Sequence, residues 1–195
     1  MNSICKFIYI TLLMILTASC KEDIPTVTMH TEAGNILVEV YTDKAPVTAS
    51  NFLDLCKNSA YRNSMFYRVV NQDNQEGNKV KIDVIQGGLY LDSIIDAYPA
   101  IAHETTKTTG LKHLDGSISM ARNEPGTAST EFFICVGPQP ELDFGGKRNP
   151  DGQGFAVFGR VIQGMDVVRE IHRLKADSQY LDRPIMISNI ILNEK

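Results

Sequence analysis

Short apolar runs separated by turn-forming residues recur along this chain, and their spacing limits the architectures that it can adopt. The first two runs, 26–31 and 36–41, flank the turn signal EAGN, and the second run alternates apolar and polar residues. Alternation with a period of two is typical of a strand with one buried face. Further strand-like runs lie at 65–70, 82–86, 117–121, 132–136, 155–161 and 185–192.

Two other segments repeat their apolar residues with the period of an α-helix. One covers 46–57 and begins with Pro46, a residue that suits the first turn of a helix. The other covers 165–174. Many short strands and few helices predict a mainly β domain with a closed antiparallel barrel, because closure removes the exposed sheet edges that invite aggregation.

Two polar insertions interrupt this pattern, at 71–81 and 144–154. Both are rich in polar or charged residues, and the second also contains four glycines, a composition that favours surface loops. We expect them either to be ordinary solvent-exposed insertions or to take part in the recognition of a partner.

The beginning of the chain is similar to an export signal. Residues 7–16, FIYITLLMIL, carry no charge. This run is shorter than the ~20 residues of a membrane-spanning helix but suits the apolar core of a signal peptide. It leads into LTASC at 16–20, which resembles a lipobox whose leucine lies one place too early. We therefore expect removal of 1–19 and lipid attachment at Cys20, with an ordinary secretory cleavage nearby as the alternative.

A lipid on Cys20 would anchor the chain to a membrane of the bacterial cell envelope, with 20–25 as a tether and 26–195 as the domain. The tether begins with Lys21-Glu22-Asp23 after the cysteine. This string is similar to the acidic tag that sends some Gram-negative lipoproteins to the cell surface, although such charges are common in any tether. The expected location is the periplasmic face or the outer-membrane surface.

Charge and motifs exclude several classes of function. The net charge is −4 and no run of Lys and Arg is present, so nucleic acid is not an expected partner. The sequence contains no phosphate-binding glycine loop, no serine nucleophile elbow and no closely spaced histidine pair, so we expect no cofactor and no metal. Cys56 and Cys135 lie in apolar segments, which favours small buried thiols over the alternative, a disulfide.

Several characteristic strings occur in one fixed order: FYRVV at 66–70, VIQGG at 84–88, GSISMAR at 116–122, EFFI at 131–134 and FAVFGRVIQGMDVV at 155–168. In this order they resemble segments of the cyclophilin-type peptidyl-prolyl cis-trans isomerases. The stretches APVTASNFLDL and HETTKTTGLKH are also similar to that family, so the resemblance covers about 26–192. It implies an eight-stranded barrel capped by two α-helices, with no metal, nucleotide or covalent intermediate.

The implied reaction is rotation about an X-Pro amide, which resonance opposes with a barrier of ~18–20 kcal/mol. When the amide is twisted, the prolyl nitrogen regains its lone pair and accepts a hydrogen bond. A donor aimed at this nitrogen stabilises the twisted state more than the planar states, which is the requirement for catalysis. Arginine suits the role because it stays charged and holds its donors in a rigid fork.

The resemblance assigns the catalytic role to Arg68 and Gln86. Without it, Arg68 would be interpreted as a surface ion-pair partner and Gln86 as a hydrogen-bond partner of the barrel backbone. Phe133 matches the floor of the proline pocket, whereas its neighbour Phe132 is expected in the core because successive strand residues point to opposite faces. The other residues that match substrate-binding positions are Ala121 and Arg122, through their backbone groups, and Val84, Leu142 and Phe155.

Some positions depart from the familiar eukaryotic pattern. Asp83 stands where a pocket phenylalanine is usual, Phe155 replaces a pocket histidine, and Glu141 replaces the tryptophan associated with cyclosporin binding. Glu131 replaces a glutamine and as an anion would be able to pair with Arg68. These changes predict one weakened pocket wall and poor sensitivity to cyclosporin.

Two functions are therefore compared. The first is an active isomerase, expected to be a monomer, that assists the folding of exported proteins by acting on their Pro-containing segments. The alternative is a module that binds such segments and catalyses poorly. The presence of Arg68, Gln86 and Phe133 favours the enzyme.

Overall fold

In the computed structural model, which describes residues 24–194, nine antiparallel strands form one sheet that closes on itself. The strands are β1 (Thr26–Thr31), β2 (Gly34–Val40), β3 (Ser64–Val70), β4 (Val84–Gly88), β5 (Ser117–Met120), β6 (Phe132–Cys135), β7 (Ala156–Gln163), β8 (Ala176–Asp177) and β9 (Tyr180–Leu192). Eight of them form a barrel in the order β1-β2-β7-β5-β6-β4-β3-β9, and β9 pairs back with β1. The two-residue β8 pairs with β9.

Two longer helices and two single-turn helices accompany the barrel. They are α1 (Pro46–Lys57), α2 (Asp92–Ile95), α3 (Thr106–Thr109) and α4 (Met165–His172). A 3₁₀ turn covers Pro140–Leu142. The carboxylate of Glu104 caps α1, since it accepts hydrogen bonds from the backbone N–H of Val47 at 3.2 Å and of Thr48 at 2.8 Å. The cap satisfies N–H groups that have no partner within a helix.

Aromatic side chains pack together in the barrel interior. Their ring centroids lie between 4.8 and 5.8 Å apart in tilted and edge-to-face arrangements, which aromatic pairs prefer. The rings belong to Phe52, Tyr61, Phe66, Phe132 and Phe158. A second, smaller apolar cluster lies on the other face of the sheet and contains Val70, Ile82, Val84, Phe133, Cys135 and Leu142. This second cluster lies beside the candidate site.

The fold predicted from the sequence is confirmed, with differences at element ends. Helix α1 has the predicted bounds, whereas α4 ends at His172, two residues before the predicted end. The last strand begins at Tyr180, earlier than the predicted 185. Pro184 was expected to precede it but lies inside β9, where the register against β3 shifts between Phe66 and Arg68. Such an irregularity accommodates proline because no ladder hydrogen bond is required from its nitrogen. Helices α2 and α3 and strand β8 were not predicted.

The insertions at 71–81 and 144–154 contain neither helix nor strand, as predicted. They contact each other: Nη1 of Arg148 donates to Oε1 of Gln75 at 2.8 Å and to the carbonyl of Val80 at 2.7 Å. Cys56 and Cys135 are both buried and unpaired, which agrees with the prediction of buried thiols.

The predicted signal peptide, Cys20 as the predicted site of lipid attachment and the acidic string after it lie outside the described residues. Lipid attachment therefore stays a prediction. Within 24–194, no helix combines the length and the apolar character that crossing a membrane requires.

Candidate active site

A groove of about 780 Å³ runs over the outer face of the barrel beside β3, β4 and β6. All eight residues that the sequence singled out for catalysis or substrate binding line it. They are Arg68, Val84, Gln86, Ala121, Arg122, Phe133, Leu142 and Phe155. The structure thus brings together residues that lie up to 87 positions apart, from Arg68 to Phe155.

Arg68 and Gln86 are direct neighbours in the register between β3 and β4. Nη1 of Arg68 donates to Oε1 of Gln86 at 2.7 Å. A bulge in β3 at residue 67 allows both Tyr67 and Arg68 to line the groove, although successive residues of a regular strand point to opposite faces. Burial lowers the pKa of Arg68, but arginine stays charged at any physiological pH.

Gln179 is the second partner of Arg68, and nothing in the sequence indicated it. Its Oε1 accepts from Nε of Arg68 at 3.0 Å and from Nη2 at 2.5 Å. No carboxylate of the described residues lies within ion-pair distance of this guanidinium. The ion pair expected in the absence of a family resemblance is therefore not formed, and both amide partners leave the positive charge uncompensated.

Glu131 does not pair with Arg68, contrary to the expectation from its charge. Its Oε2 accepts from the hydroxyl of Tyr67 at 2.5 Å, and its Oε1 accepts from the backbone N–H of Leu89 at 2.6 Å. Tyr67 in turn accepts from Nε2 of Gln86 at 2.8 Å. Tyr67 and Gln86 thus separate the carboxylate from the guanidinium, which is the physical reason that the two charges do not meet.

Burial raises the pKa of Tyr67, and the adjacent Glu131 raises it further, so the phenol remains protonated. Burial also raises the pKa of Glu131, against the opposing effect of the hydrogen bonds that it accepts. A protonated phenol facing a carboxylate must donate to it, which leaves the phenolic oxygen to accept from the amide nitrogen of Gln86. Because the amide nitrogen of Gln86 faces Tyr67, the amide oxygen of Gln86 faces Arg68.

The apolar end of the groove has Phe133 as its floor. The edge of Phe155 meets Phe133 at a centroid distance of 5.2 Å, and the imidazole of His113 stacks behind it at 6.0 Å. Asp143 contacts Nδ1 of His113 at 2.8 Å, and Ser119 contacts Nε2 at 3.2 Å. Burial lowers the pKa of His113, which keeps the ring uncharged at neutral pH. These contacts hold the apolar floor of the groove in place.

The wall that Asp83 was expected to weaken is built differently. Among the described residues, Ile82 and Val84 line the groove, and both are buried. Between them, Asp83 accepts a hydrogen bond from Gln72 and lies 3.6 Å from Nε2 of His172. Residues at i and i+2 share one face of an extended chain, so Ile82 provides the apolar surface that Asp83 cannot.

Glu141 forms hydrogen bonds with the 144–154 insertion. Its Oε2 accepts from the backbone N–H of Lys147 at 2.8 Å, and its carbonyl accepts from the backbone N–H of Arg148 at 3.1 Å. These contacts tie the start of the 144–154 insertion to the 3₁₀ turn beside Leu142.

The side chain of Arg122 is fully buried and holds the end of the same insertion. Its two terminal nitrogens donate to the two carboxylate oxygens of Asp151 at 2.9 and 3.0 Å, and its guanidinium lies 5.1 Å from the ring centre of Phe155. The backbone N–H and carbonyl of Arg122 have no partner within the described chain. The N–H of Ala121 is already bonded to the carbonyl of Glu131 at 2.8 Å, so Ala121 can offer only its carbonyl to a substrate.

The groove therefore combines a charged donor, an apolar pocket and free backbone groups. Residues 24–194 contain no cluster of three or more His, Cys, Asp or Glu side chains that could hold a metal ion. Tyr67, Ile82 and Gln179 were missed in the sequence. The tyrosine beside the predicted arginine was the one available signal, and the bulge that turns it into the groove was not recognisable.

Comparison with known proteins gives consistent results. The family model described as "Cyclophilin type peptidyl-prolyl cis-trans isomerase/CLD" matches residues 26–191. The chain is 32% identical over 167 residues to peptidyl-prolyl cis-trans isomerase B of Escherichia coli, covering 85% of this chain and 95% of that protein. It is 36% identical over 146 residues to a peptidyl-prolyl cis-trans isomerase of Acinetobacter baylyi, covering 74% and 70% of the two chains.

The fold is similar to that of a solved cyclophilin-type isomerase from Cryptosporidium parvum, with a TM-score of 0.70 and 21% identity. The match covers 89% of this chain and 99% of that one. A second structure of the parasite protein, in the presence of the dipeptide Ala-Pro, has a TM-score of 0.68 and 22% identity, with 87% and 99% coverage.

Proposed function

Because this chain belongs to the family of cyclophilin-type peptidyl-prolyl cis-trans isomerases and is an enzyme of that class, we propose that it accelerates rotation about X-Pro bonds in exported proteins and so assists their folding. The single observation that carries the assignment of its active centre is the 2.7 Å hydrogen bond between Arg68 and Gln86 at the edge of an apolar pocket.

In the proposed mechanism the pyrrolidine ring of the substrate enters the pocket formed by Phe133, Leu142 and Phe155. This contact fixes the proline while the residue before it rotates. With the proline held in place, isomerisation consists of a rotation of the preceding residue about the X-Pro bond. The aromatic floor favours an apolar ring and carries no charge of its own, because His113 behind it is neutral.

Arg68 then donates to the prolyl nitrogen when the amide is twisted. In the planar substrate the lone pair of this nitrogen is delocalised, so the hydrogen bond strengthens only near the top of the barrier. An interaction that is stronger in the transition state than in the ground state accelerates the reaction. Each ~1.36 kcal/mol of such preference corresponds to a tenfold increase in rate.

Backbone groups would hold the rest of the peptide. Arg122 lines the groove, and its backbone N–H and carbonyl have no partner within the described chain. Backbone contacts of this kind do not depend on substrate side chains, which fits an enzyme that acts on many different X-Pro sequences.

The test is an NMR-exchange or protease-coupled isomerisation assay on an X-Pro peptide. Wild type should accelerate exchange, and Arg68→Ala should lower kcat/KM by about a hundredfold, the loss typical of removing a transition-state donor. Arg62→Ala, which changes an exposed arginine outside the groove, is the matched control and should remain active. Equal rates for wild type and Arg68→Ala, with peptide binding preserved, would support a binding module instead.

We further propose that the enzyme is a monomer held at the bacterial cell envelope by a lipid on Cys20. The support is the uncharged run at 7–16 followed by small residues and a cysteine. Radioactive fatty acid should label the full chain and should not label Cys20→Ala, whereas Cys56→Ala should remain labelled. Labelling that persists in Cys20→Ala would show that the anchor lies elsewhere.

A further inference from the structure

We propose that Gln179 is a positioning residue that holds the guanidinium of Arg68 in its catalytic orientation. The proposal rests on the catalytic role of Arg68 given above. Gln179 is half-buried and its contact with Arg68 joins residues 111 positions apart in the chain.

The geometry of the contact uses one whole side of the guanidinium. Nε and Nη2 point in the same direction, and both donate to Oε1 of Gln179, at 3.0 and 2.5 Å. Nη1, the other terminal nitrogen of the guanidinium, donates to Oε1 of Gln86. Arginine carries five N–H donors, so one donor on each terminal nitrogen remains for the substrate. Because Gln179 and Gln86 bind different nitrogens of the guanidinium, they prevent this planar group from rotating about the terminal bonds of the arginine side chain.

Gln179 is itself held at both ends. Its backbone carbonyl accepts from the N–H of Val69 at 2.8 Å, and its Nε2 donates to the carbonyl of Asn74 at 3.1 Å. Nδ2 of Asn74 donates to the carbonyl of Val69 at 3.0 Å, which closes the network. Because the amide nitrogen of Gln179 faces a carbonyl, its oxygen must face Arg68.

A tight turn places the side chain of Gln179 beside Arg68. Ser178 and Gln179 form the two-residue connection between β8 and β9, in which Asp177 pairs with Tyr180. Ser178 has a positive φ of 55°, a conformation that such hairpin turns require. Tyr180 pairs with Arg68 across β3 and β9, so the turn lies directly beside the arginine.

An amide at this position also preserves the charge of Arg68. A carboxylate would compensate the positive charge and weaken its attraction for a lone pair that appears only in the twisted amide. The neutral oxygen of Gln179 orients the group without this penalty. The same holds for Gln86, so both anchors share one chemical design.

The test compares Gln179→Met, which keeps the length of the side chain and removes its hydrogen bonds, with wild type. Gln163→Met is the matched control, since Gln163 is exposed at the end of β7, away from the groove. We expect kcat of Gln179→Met to fall by about ten- to a hundredfold, as for other misplaced catalytic groups, while KM changes less than about twofold because the proline pocket is intact. Gln179→Ala should behave in the same way and serves if the methionine variant folds poorly.

A second readout does not depend on turnover. The Nε–H of Arg68 should exchange with solvent slowly in wild type and Gln163→Met, and rapidly in Gln179→Met, as seen in its ¹H–¹⁵N signal. An unchanged kcat, or a rise in KM at unchanged kcat, would overturn the proposal. If wild type itself fails to accelerate isomerisation, the proposed function fails, and the Arg68 signal alone then decides whether Gln179 holds this side chain.

Discussion

The hydroxyl of Tyr67 donates to Oε2 of Glu131 across an oxygen–oxygen distance of 2.5 Å. Tyr67 is buried and Glu131 is half-buried, both line the groove, and their contact continues through Gln86 to Arg68. The side chains of Tyr67 and Gln86 each have one defined partner on either side, so the direction of the hydrogen bonds between Glu131 and Arg68 follows from the protonated state of the phenol. The network explains how a flexible glutamine is held in one orientation.

We predict that Tyr67→Phe lowers kcat/KM by about tenfold, because each ~1.36 kcal/mol of lost transition-state stabilisation costs that factor. Without the hydroxyl, the amide of Gln86 is free to rotate and Arg68 loses one aligned acceptor. Tyr180→Phe is the control, since its exposed hydroxyl has no partner in the described chain. Equal activity of the two variants would show that the network does not orient Gln86.

Glu131 should make the stability of the protein depend on pH. Burial raises its pKa in the folded state, so between its ordinary pKa and this raised value the folded protein binds more protons than the unfolded chain. The contribution of Glu131 to stability is thus fully present below an ordinary glutamate pKa of about 4.3 and is lost as pH rises through the folded value. Urea unfolding of wild type and Glu131→Gln at several pH values should reveal a difference that becomes less favourable to wild type as pH increases. Parallel pH profiles would contradict this.

Asp143 is predicted to stabilise the fold from behind the pocket floor. Its Oδ1 accepts from the backbone N–H of His113 at 3.1 Å and contacts Nδ1 at 2.8 Å. Asp143→Ala leaves these two buried groups without an acceptor and should cost about 2–6 kcal/mol of unfolding free energy, from about 1–3 kcal/mol for each unsatisfied group. The exposed Asp54 offers the control: Asp54→Ala, on the surface of α1, should change stability by less than about 1 kcal/mol.

Truncation of the adjacent residues Phe132 and Phe133 should have different effects, on stability for Phe132 and chiefly on KM for Phe133. Phe132→Ala removes a ring from the centre of the barrel and should cost about 3–5 kcal/mol of unfolding free energy. Phe133→Ala opens the pocket floor and should chiefly raise KM for an X-Pro peptide. Thermal unfolding and steady-state kinetics on both variants test the contrast. A catalytic defect without loss of stability in Phe132→Ala would show that the two faces were assigned the wrong way round.

Much of this architecture is determined by local sequence. The period of two in the strands and the helical period after Pro46 depend only on near neighbours, and the alternation that separates Phe132 from Phe133 follows from strand geometry. The ordered family strings assigned Arg68, Gln86 and the pocket residues to one site, and the structure brings all of them into one groove.

Tertiary structure alone decided the rest, because the decisive contacts join distant parts of the chain. Glu131 carries a charge that suggested a pair with Arg68, yet the bulge in β3 inserts Tyr67 between them. Gln179 contacts Arg68 only because β9 pairs with β3 in the closed barrel, which places the turn of the β8–β9 hairpin beside Arg68. Sequence periodicity encodes which face of a strand is buried; it does not encode which loop, many residues later, will supply the neighbour of an exposed side chain.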